Sequence, residues 1–235
     1  MYNFHMAKAV VIYGPPGSGK GTQANLLAWT KNYIHFDTGK FIEEAIHDPK
    51  KVGDPEMLEA RQQFDSGVLV TPSVVLKITT EKTKEIGESG FNIVYSGSPR
   101  TIFEAFGDDQ NEGLVSVLEK VYGKDNVSFI FLKIDPQVAI KRNANRKVCS
   151  LCATAILYND STHHHTECPL CGAKLRQRAV DNPEVLQTRI KEYEERTKPI
   201  ITELAKRGYK INEVDGTPMP FVVFESVKNA LTNNE

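Results

Sequence analysis

The sequence predicts an α/β fold, a parallel sheet flanked by helices, carrying a small helical segment and a cysteine-bearing insertion. Three observations predict it. Short apolar runs rich in β-branched and aromatic residues alternate with longer amphipathic segments. Prolines and glycines punctuate the joins as helix starts and stops. One stretch, residues 148–172, breaks the alternation and holds all four cysteines, so it reads as a separate insertion.

Four strands are expected: KAVVIYG (8–14), FNIVYSG (91–97), SFIFLKID (128–135) and GYKINEVDG (208–216). Helices are expected after residues 19, 72, 101 and 135, and across 183–207. Pro136 after Asp135, and Pro183 after Asp181-Asn182, sit where a first helical turn tolerates a missing N–H. Gly208 stands where a helix ending at 207 needs a left-handed stop. No internal repeat or low-complexity tract interrupts this order.

Composition narrows the function classes. The chain has 235 residues, 40% hydrophobic and 25% charged, with a formal net charge of −1. That is ordinary for a globular chain with a sizeable core and leaves no broad basic surface for nucleic acid. No apolar stretch approaches the ~18–20 residues that span a bilayer, so no membrane partner is expected. The start, MYNFHMAKAVVIYG, lacks a signal-like pattern, with Met6 a second candidate start. A reducing, cytoplasmic setting is therefore the expectation.

Gly14-Pro15-Pro16-Gly17-Ser18-Gly19-Lys20-Gly21-Thr22 follows a predicted strand and opens a predicted helix. Glycines let backbone N–H groups turn inward, the helix N-terminus adds partial positive charge, and Lys20 adds a mobile cation. This is a phosphate-binding P-loop. The general motif places Ser or Thr directly after the Lys, but here Gly21 intervenes before Thr22, which points to a narrower group. Cys149-x2-Cys152 and Cys168-x2-Cys171, separated by fifteen residues, form a tetrathiolate zinc pattern. A disulfide pairing, or one of His163, His164 and His165 as a replacement ligand, is the alternative.

With those residues in place, the chain resembles the adenylate kinase family, in its long form with a zinc-bearing lid. The resemblance rests on GPPGSGKGTQ, DTGKFIEEAI (37–46), SGVLVTPSVV (66–75), GFNIVYSGSPRT (90–101), KRNANRKV (141–148), LRQRAVDNPEVLQTRIKEY (175–193) and VDGT (214–217), in family order across nearly the whole chain. It implies a P-loop core of residues 1–36, 91–146 and 179–235, a nucleoside-monophosphate segment at 37–72 with helix 73–90 returning to the core, and a lid at 147–178. It further implies reversible phosphoryl transfer from Mg²⁺-bound ATP to AMP by a monomer.

The resemblance also carries residue roles. Arg100 is expected to grip the acceptor phosphate, Arg146 to reach the donor phosphates, and Arg178 and Arg189 to bridge the two. Arg142 is expected to stack on the donor adenine. Thr38, Gly39, Lys40, Val70, Gly97 and Glu104 fall on the acceptor pocket. Several positions depart from the family pattern: Lys40 for Asp, Glu43 for Arg, Ser96 for Asp, Glu104 for Gln, and Val180 for an acidic residue. Lys40 and Glu43 share a helix face, so Lys40 is expected to supply the cation lost at Glu43. Asp37 and Asp181 are candidates to help organise Mg²⁺. A carboxylate at Glu104 suits guanine donors, which keeps open an acceptor such as GMP, and the altered shell keeps open a catalytically weak nucleotide sensor.

Overall fold

The computed structural model describes residues 7–47, 55–156, 162–178 and 181–232. Val180 and the first six residues, including Met6, lie outside them. Five strands, β1 (Ala9–Tyr13), β2 (Tyr33–Phe36), β3 (Asn92–Tyr95), β4 (Val127–Lys133) and β8 (Ile211–Asp215), form one sheet in the order β2-β3-β1-β4-β8. Every pairing in it is parallel. A second sheet of three short strands, β5 (Lys147–Cys149), β6 (Ala155–Ile156) and β7 (Leu175–Arg176), is antiparallel and brackets the cysteine stretch, reaching a few residues beyond 172.

Strand β1 shows why the sheet must be covered twice. Ala9, Val11 and Tyr13 enter one core with Leu114, Leu118, Ile200 and Leu204. Val10 and Ile12 enter the other with Ala24, Leu27, Val223 and Val227. The period of two sends alternate residues to opposite faces, and both faces are apolar. Each fully buried side chain of this kind contributes about 1.5–3 kcal/mol. On the first face lie α4 (Pro72–Glu88), α5 (Ile102–Phe106), α6 (Leu114–Tyr122) and α9 (Lys198–Lys206); on the second lie α1 (Lys20–Lys31) and α10 (Pro220–Thr232).

The remaining helices are α2 (Thr38–Ile46), α3 (Pro55–Ser66), α7 (Pro136–Ala144) and α8 (Pro183–Glu192). Asp135 caps α7 by accepting from the N–H groups of Gln137 and Val138. Asn182 caps α8 by accepting from Val185. Both caps precede a proline, as expected.

Three features differ from the sequence expectation. The edge strand β2 was not foreseen: it has four residues and none is fully buried, so it carries no apolar run. Helices α6 and α10 were also left unassigned. The single helix expected over 183–207 is two, separated by a π turn at Tyr193–Thr197. Pro199 lacks the N–H that a continuous α ladder would use there, and the extra residue absorbs the mismatch.

Candidate active site

In the order β2-β3-β1-β4-β8 the connection from β1 runs to β2 on one side and that from its neighbour β3 runs to β4 on the other, which opens a crevice at the strand ends. The P-loop fills that crevice. Gly17 is required there, since a Cβ would stand 2.5 Å from the Ala139 carbonyl oxygen. Gly19 caps α1 in a left-handed conformation (φ 94°) and offers no side-chain acceptor. The first N–H groups of α1 thus remain free of a side-chain cap, which suits an anion. Lys20 Nζ donates to the carbonyls of Gly14 (2.6 Å) and Pro15 (2.9 Å).

A cleft of about 420 Å³ runs from this loop across the sheet. Of the residues expected from the sequence, Gly14, Gly17, Ser18, Gly19, Lys20, Gly21, Thr22, Gly97, Arg100, Arg142, Arg146, Arg178 and Arg189 line it. Four of these arginines and Lys20 form a cation cluster. Burial lowers the Lys20 pKa well below its ordinary value, and Arg100, Arg189 and Arg146 lower it further. Arg189 is pulled down to about 10, by burial first and then by Arg100 and Arg146. Such a cluster is relieved by polyanionic ligands.

Two carboxylates hold the cluster. Asp181, buried, accepts from Arg146 Nε (2.8 Å) and from Arg189 (3.2 Å), with a second, shorter contact to Arg146. Glu43 of α2 meets Arg178 at 3.4 Å. Arg100 is oriented by backbone instead: its Nε donates to the Gly97 carbonyl (2.7 Å), and Thr197 in the π turn donates to its own carbonyl (2.9 Å). Arg142 donates to the carbonyls of Gly216 (2.7 Å) and Thr217 (2.6 Å) in the loop before α10.

The acceptor-side residues behave differently. Thr38 is buried with its hydroxyl unpartnered, a polar atom that suits a ligand. Gly39 and Gly97 both lie against Arg100: a Cβ on either would stand 3.8 and 3.4 Å from its guanidinium. Val70 packs in a small core with Ile42, Ile46, Ala60 and Val75. Lys40 does not line the cleft, where it is expected to supply a cation for the acceptor phosphate; its side chain is 56% exposed and its ammonium meets Glu44 at 3.7 Å. Glu104 does not reach it either. Its carboxylate accepts from Arg100 N (2.8 Å) and the Thr101 hydroxyl (3.2 Å), while Thr101 Oγ1 accepts from Glu104 N (3.1 Å). Thr101-x-x-Glu104 is thus a variant of the capping box in which the carboxylate reaches the N–H one residue before the cap; the Thr-x-x-Glu spacing is legible in the sequence but was passed over for a base-reading role. Burial raises the Glu104 pKa to about 7.

Sequence reasoning missed a polar chain on the cleft wall. His35 in β2 bonds Asn25 Oδ1 through Nδ1 (2.7 Å) and Ser96 Oγ through Nε2 (2.8 Å). Burial lowers the His35 pKa, so the ring is neutral at pH 7. With Asn25 accepting at Nδ1, the Ser96 hydroxyl donates to Nε2 and keeps its lone pairs for the cleft. Asp37 also lines the cleft, although one of its oxygens caps α2 through Lys40 N (3.2 Å). Of the two carboxylates suggested for Mg²⁺, Asp181 is committed to the arginines and Asp37 faces the cleft.

The four thiols converge within 4.8 Å of one another. Cys149 and Cys171 stand 3.4 Å apart, Cys152 and Cys168 3.7 Å. Four sulfurs at ~2.3 Å from one zinc would stand about 3.8 Å apart. Backbone N–H groups of Leu151 and Cys152 point at Cys149 Sγ, and that of Leu170 at Cys168 Sγ, each at 3.4 Å. Thiolates favour such donors. The cysteines are unpaired, and among the described residues no other group of this type could hold a metal.

A P-loop on a parallel sheet, facing a cleft of arginines, defines a phosphoryl-transfer protein of the P-loop class. The adenylate kinase family model matches residues 12–209. The chain is 36% identical over 217 residues to an adenylate kinase of Chlamydia pneumoniae, covering 92% of this chain and 94% of that one. It is 33% identical over 224 residues to one from Caldanaerobacter subterraneus, covering 94% and 95%. Over 209 residues it is 33% identical to one from Borreliella burgdorferi, covering 88% and 90%. The chain belongs to the adenylate kinase family. It is a nucleoside monophosphate kinase that converts ATP and AMP to ADP.

Proposed function

We propose a division of labour among the cleft residues for this transfer. The loop Gly14–Thr22, with Ser18 and the free N–H groups of α1, holds the donor phosphates, and Lys20 neutralises them. Arg146 reaches the same phosphates and Arg142 stacks on the donor adenine. Arg100 grips the acceptor phosphate, and Arg178 and Arg189 span the gap. Thr38, Gly39, Gly97 and the backbone near Val70 line the acceptor side. The carrying observation is that Lys20 and these five arginines line a single cleft.

An oxygen of AMP attacks the γ-phosphorus, the bond from that phosphorus to its β-bridging oxygen breaks, and ADP leaves with the electron pair. The monophosphate is largely a dianion at pH 7, so no general base is needed. The protein's work is positioning and charge stabilisation, which fits a site rich in cations and poor in bases. Mg²⁺ arriving with ATP would spread charge on the phosphates; Asp37 and Ser96 are the oxygen donors on the cleft wall that fit its waters. The thiols of Cys149, Cys152, Cys168 and Cys171 fit a structural zinc, closed to substrate by its four ligands.

The insertion at 147–178 is a lid stiffened by that zinc, closing on the cleft to exclude water, and 37–72 is the moving acceptor segment. The chain works as a monomer in a reducing cytoplasm, where free thiolates persist. With Glu104 held in a helix cap, the argument for guanine loses its support. A coupled assay of ATP against AMP, GMP, CMP and UMP is the test. AMP should be turned over at least tenfold better than the others; equal or better turnover of GMP would refute the assignment.

A further inference from the structure

Arg178 differs from its neighbours in the cluster. Arg146 and Arg189 share Asp181, which lies at the foot of α8, whereas Arg178 takes its carboxylate from α2, 135 residues away. Glu43 and Arg178 are each only partly exposed, at 35% and 27% of their side-chain surface. Nothing in the folding of either local element requires the pair. The cap of α2 is Asp37, and the apolar side of the helix is anchored by Ile42 and Ile46, so Glu43 serves neither role.

A guanidinium fork presents the same donors to a carboxylate as to a phosphate. Arg178 also lines the cleft beside Arg100 and Arg189, whose charges it helps to crowd. We propose that Glu43 is a specificity-determining residue that occupies Arg178 in place of the acceptor phosphate and must be displaced when the nucleoside monophosphate enters. Its carboxylate acts twice: it competes for the fork, and once displaced it remains beside an incoming dianion of like charge. Both effects fall on the acceptor more than on the donor, because Glu43 sits on α2, which opens with the acceptor-side residues Thr38 and Gly39, and makes its ion pair with Arg178. The consequence is a kinase tuned to high acceptor concentrations. This inference rests on the bridging role given to Arg178 above, and on the acceptor end of that bridge.

Steady-state kinetics of Glu43→Gln and Arg178→Ala separate the two readings. Glutamine keeps the shape of the side chain and removes its charge. The KM for AMP should fall roughly tenfold in Glu43→Gln, the KM for ATP should stay within twofold, and Arg178→Ala should lose turnover. Glu43→Asp, which keeps the charge, should retain a KM for AMP near the parent value. If Arg178→Ala loses turnover but Glu43→Gln leaves the KM for AMP unchanged or raised, the present inference fails alone. If Arg178→Ala turns over AMP like the parent, the role of Arg178 fails and this inference with it. Equal shifts in both KM values, or the same fall in Glu43→Asp, would mark a structural effect and overturn it.

Discussion

Replacing Asp181 with asparagine removes one charge from the centre of the arginine cluster and changes almost no volume. The carboxylate side chain is 3% exposed and bonds Arg146 and Arg189, which are 25% and 21% exposed. Removing one member of a buried pair typically costs about 3–5 kcal/mol, because the other charge is left uncompensated. Here the arginines keep some solvent, which screens them and discounts the cost to about 2–3 kcal/mol. For a chain of this size each kcal/mol moves the melting midpoint by about 2–4 °C, so the fall should be roughly 4–12 °C. Arg189, already pulled down to about 10 by burial and neighbouring arginines, loses the group that opposes that pull. Polyanions should therefore rescue the variant: ADP should raise its midpoint more than it raises the parent's, where Asp181 already supplies the counter-charge. Differential scanning calorimetry with and without ADP reads both numbers. A midpoint within 1 °C of the parent, or no added rescue by ADP, would refute the reasoning.

Two further outcomes follow from the structure. Chelation after thiol modification should release a single zinc equivalent per chain and lower the thermal midpoint, while ATP still binds at the P-loop; no zinc, or no thermal effect, contradicts the lid assignment. Glu104 has a folded pKa of about 7 against 4.5 for the free side chain, so folding favours its protonated form. Its contribution is full below about pH 4.5 and is lost as pH rises through 7, a span of about 3 kcal/mol. Between pH 5 and 8 the parent should lose about 2–3 kcal/mol more stability in urea than Glu104→Gln; parallel curves would show that Glu104 is not the buried acid.

What could be read in the sequence was local. The P-loop glycines, Lys20, the cap-proline pairs at 135–136 and 182–183, and the cysteine spacing each describe a few neighbouring residues, and short-range geometry decides them. The alternating apolar runs likewise identified β1, β3, β4 and β8 within a few residues at either end. What escaped depends on partners far along the chain. Asp181 reaches Arg146 across 35 residues, Glu43 reaches Arg178 across 135, and no spacing rule connects either pair. Strand β2 escaped because an edge strand need not be apolar on both faces. Glu104 and Lys40 were given acceptor roles by their places in a family motif. The helix cap claimed the first, and the next carboxylate on the exposed face claimed the second.

The central claim is that the P-loop and its lysine hold a polyphosphate that the arginines complete. Isothermal titration of a bisubstrate mimic, two adenosines joined by a chain of phosphates, into the parent and into Lys20→Ala tests it most directly. Loss of one charge-assisted contact is worth about 1.5–3 kcal/mol, so the variant should bind roughly ten- to a hundredfold more weakly, with the parent's affinity falling as salt rises. Equal affinities for parent and variant, or binding indifferent to salt, would contradict it.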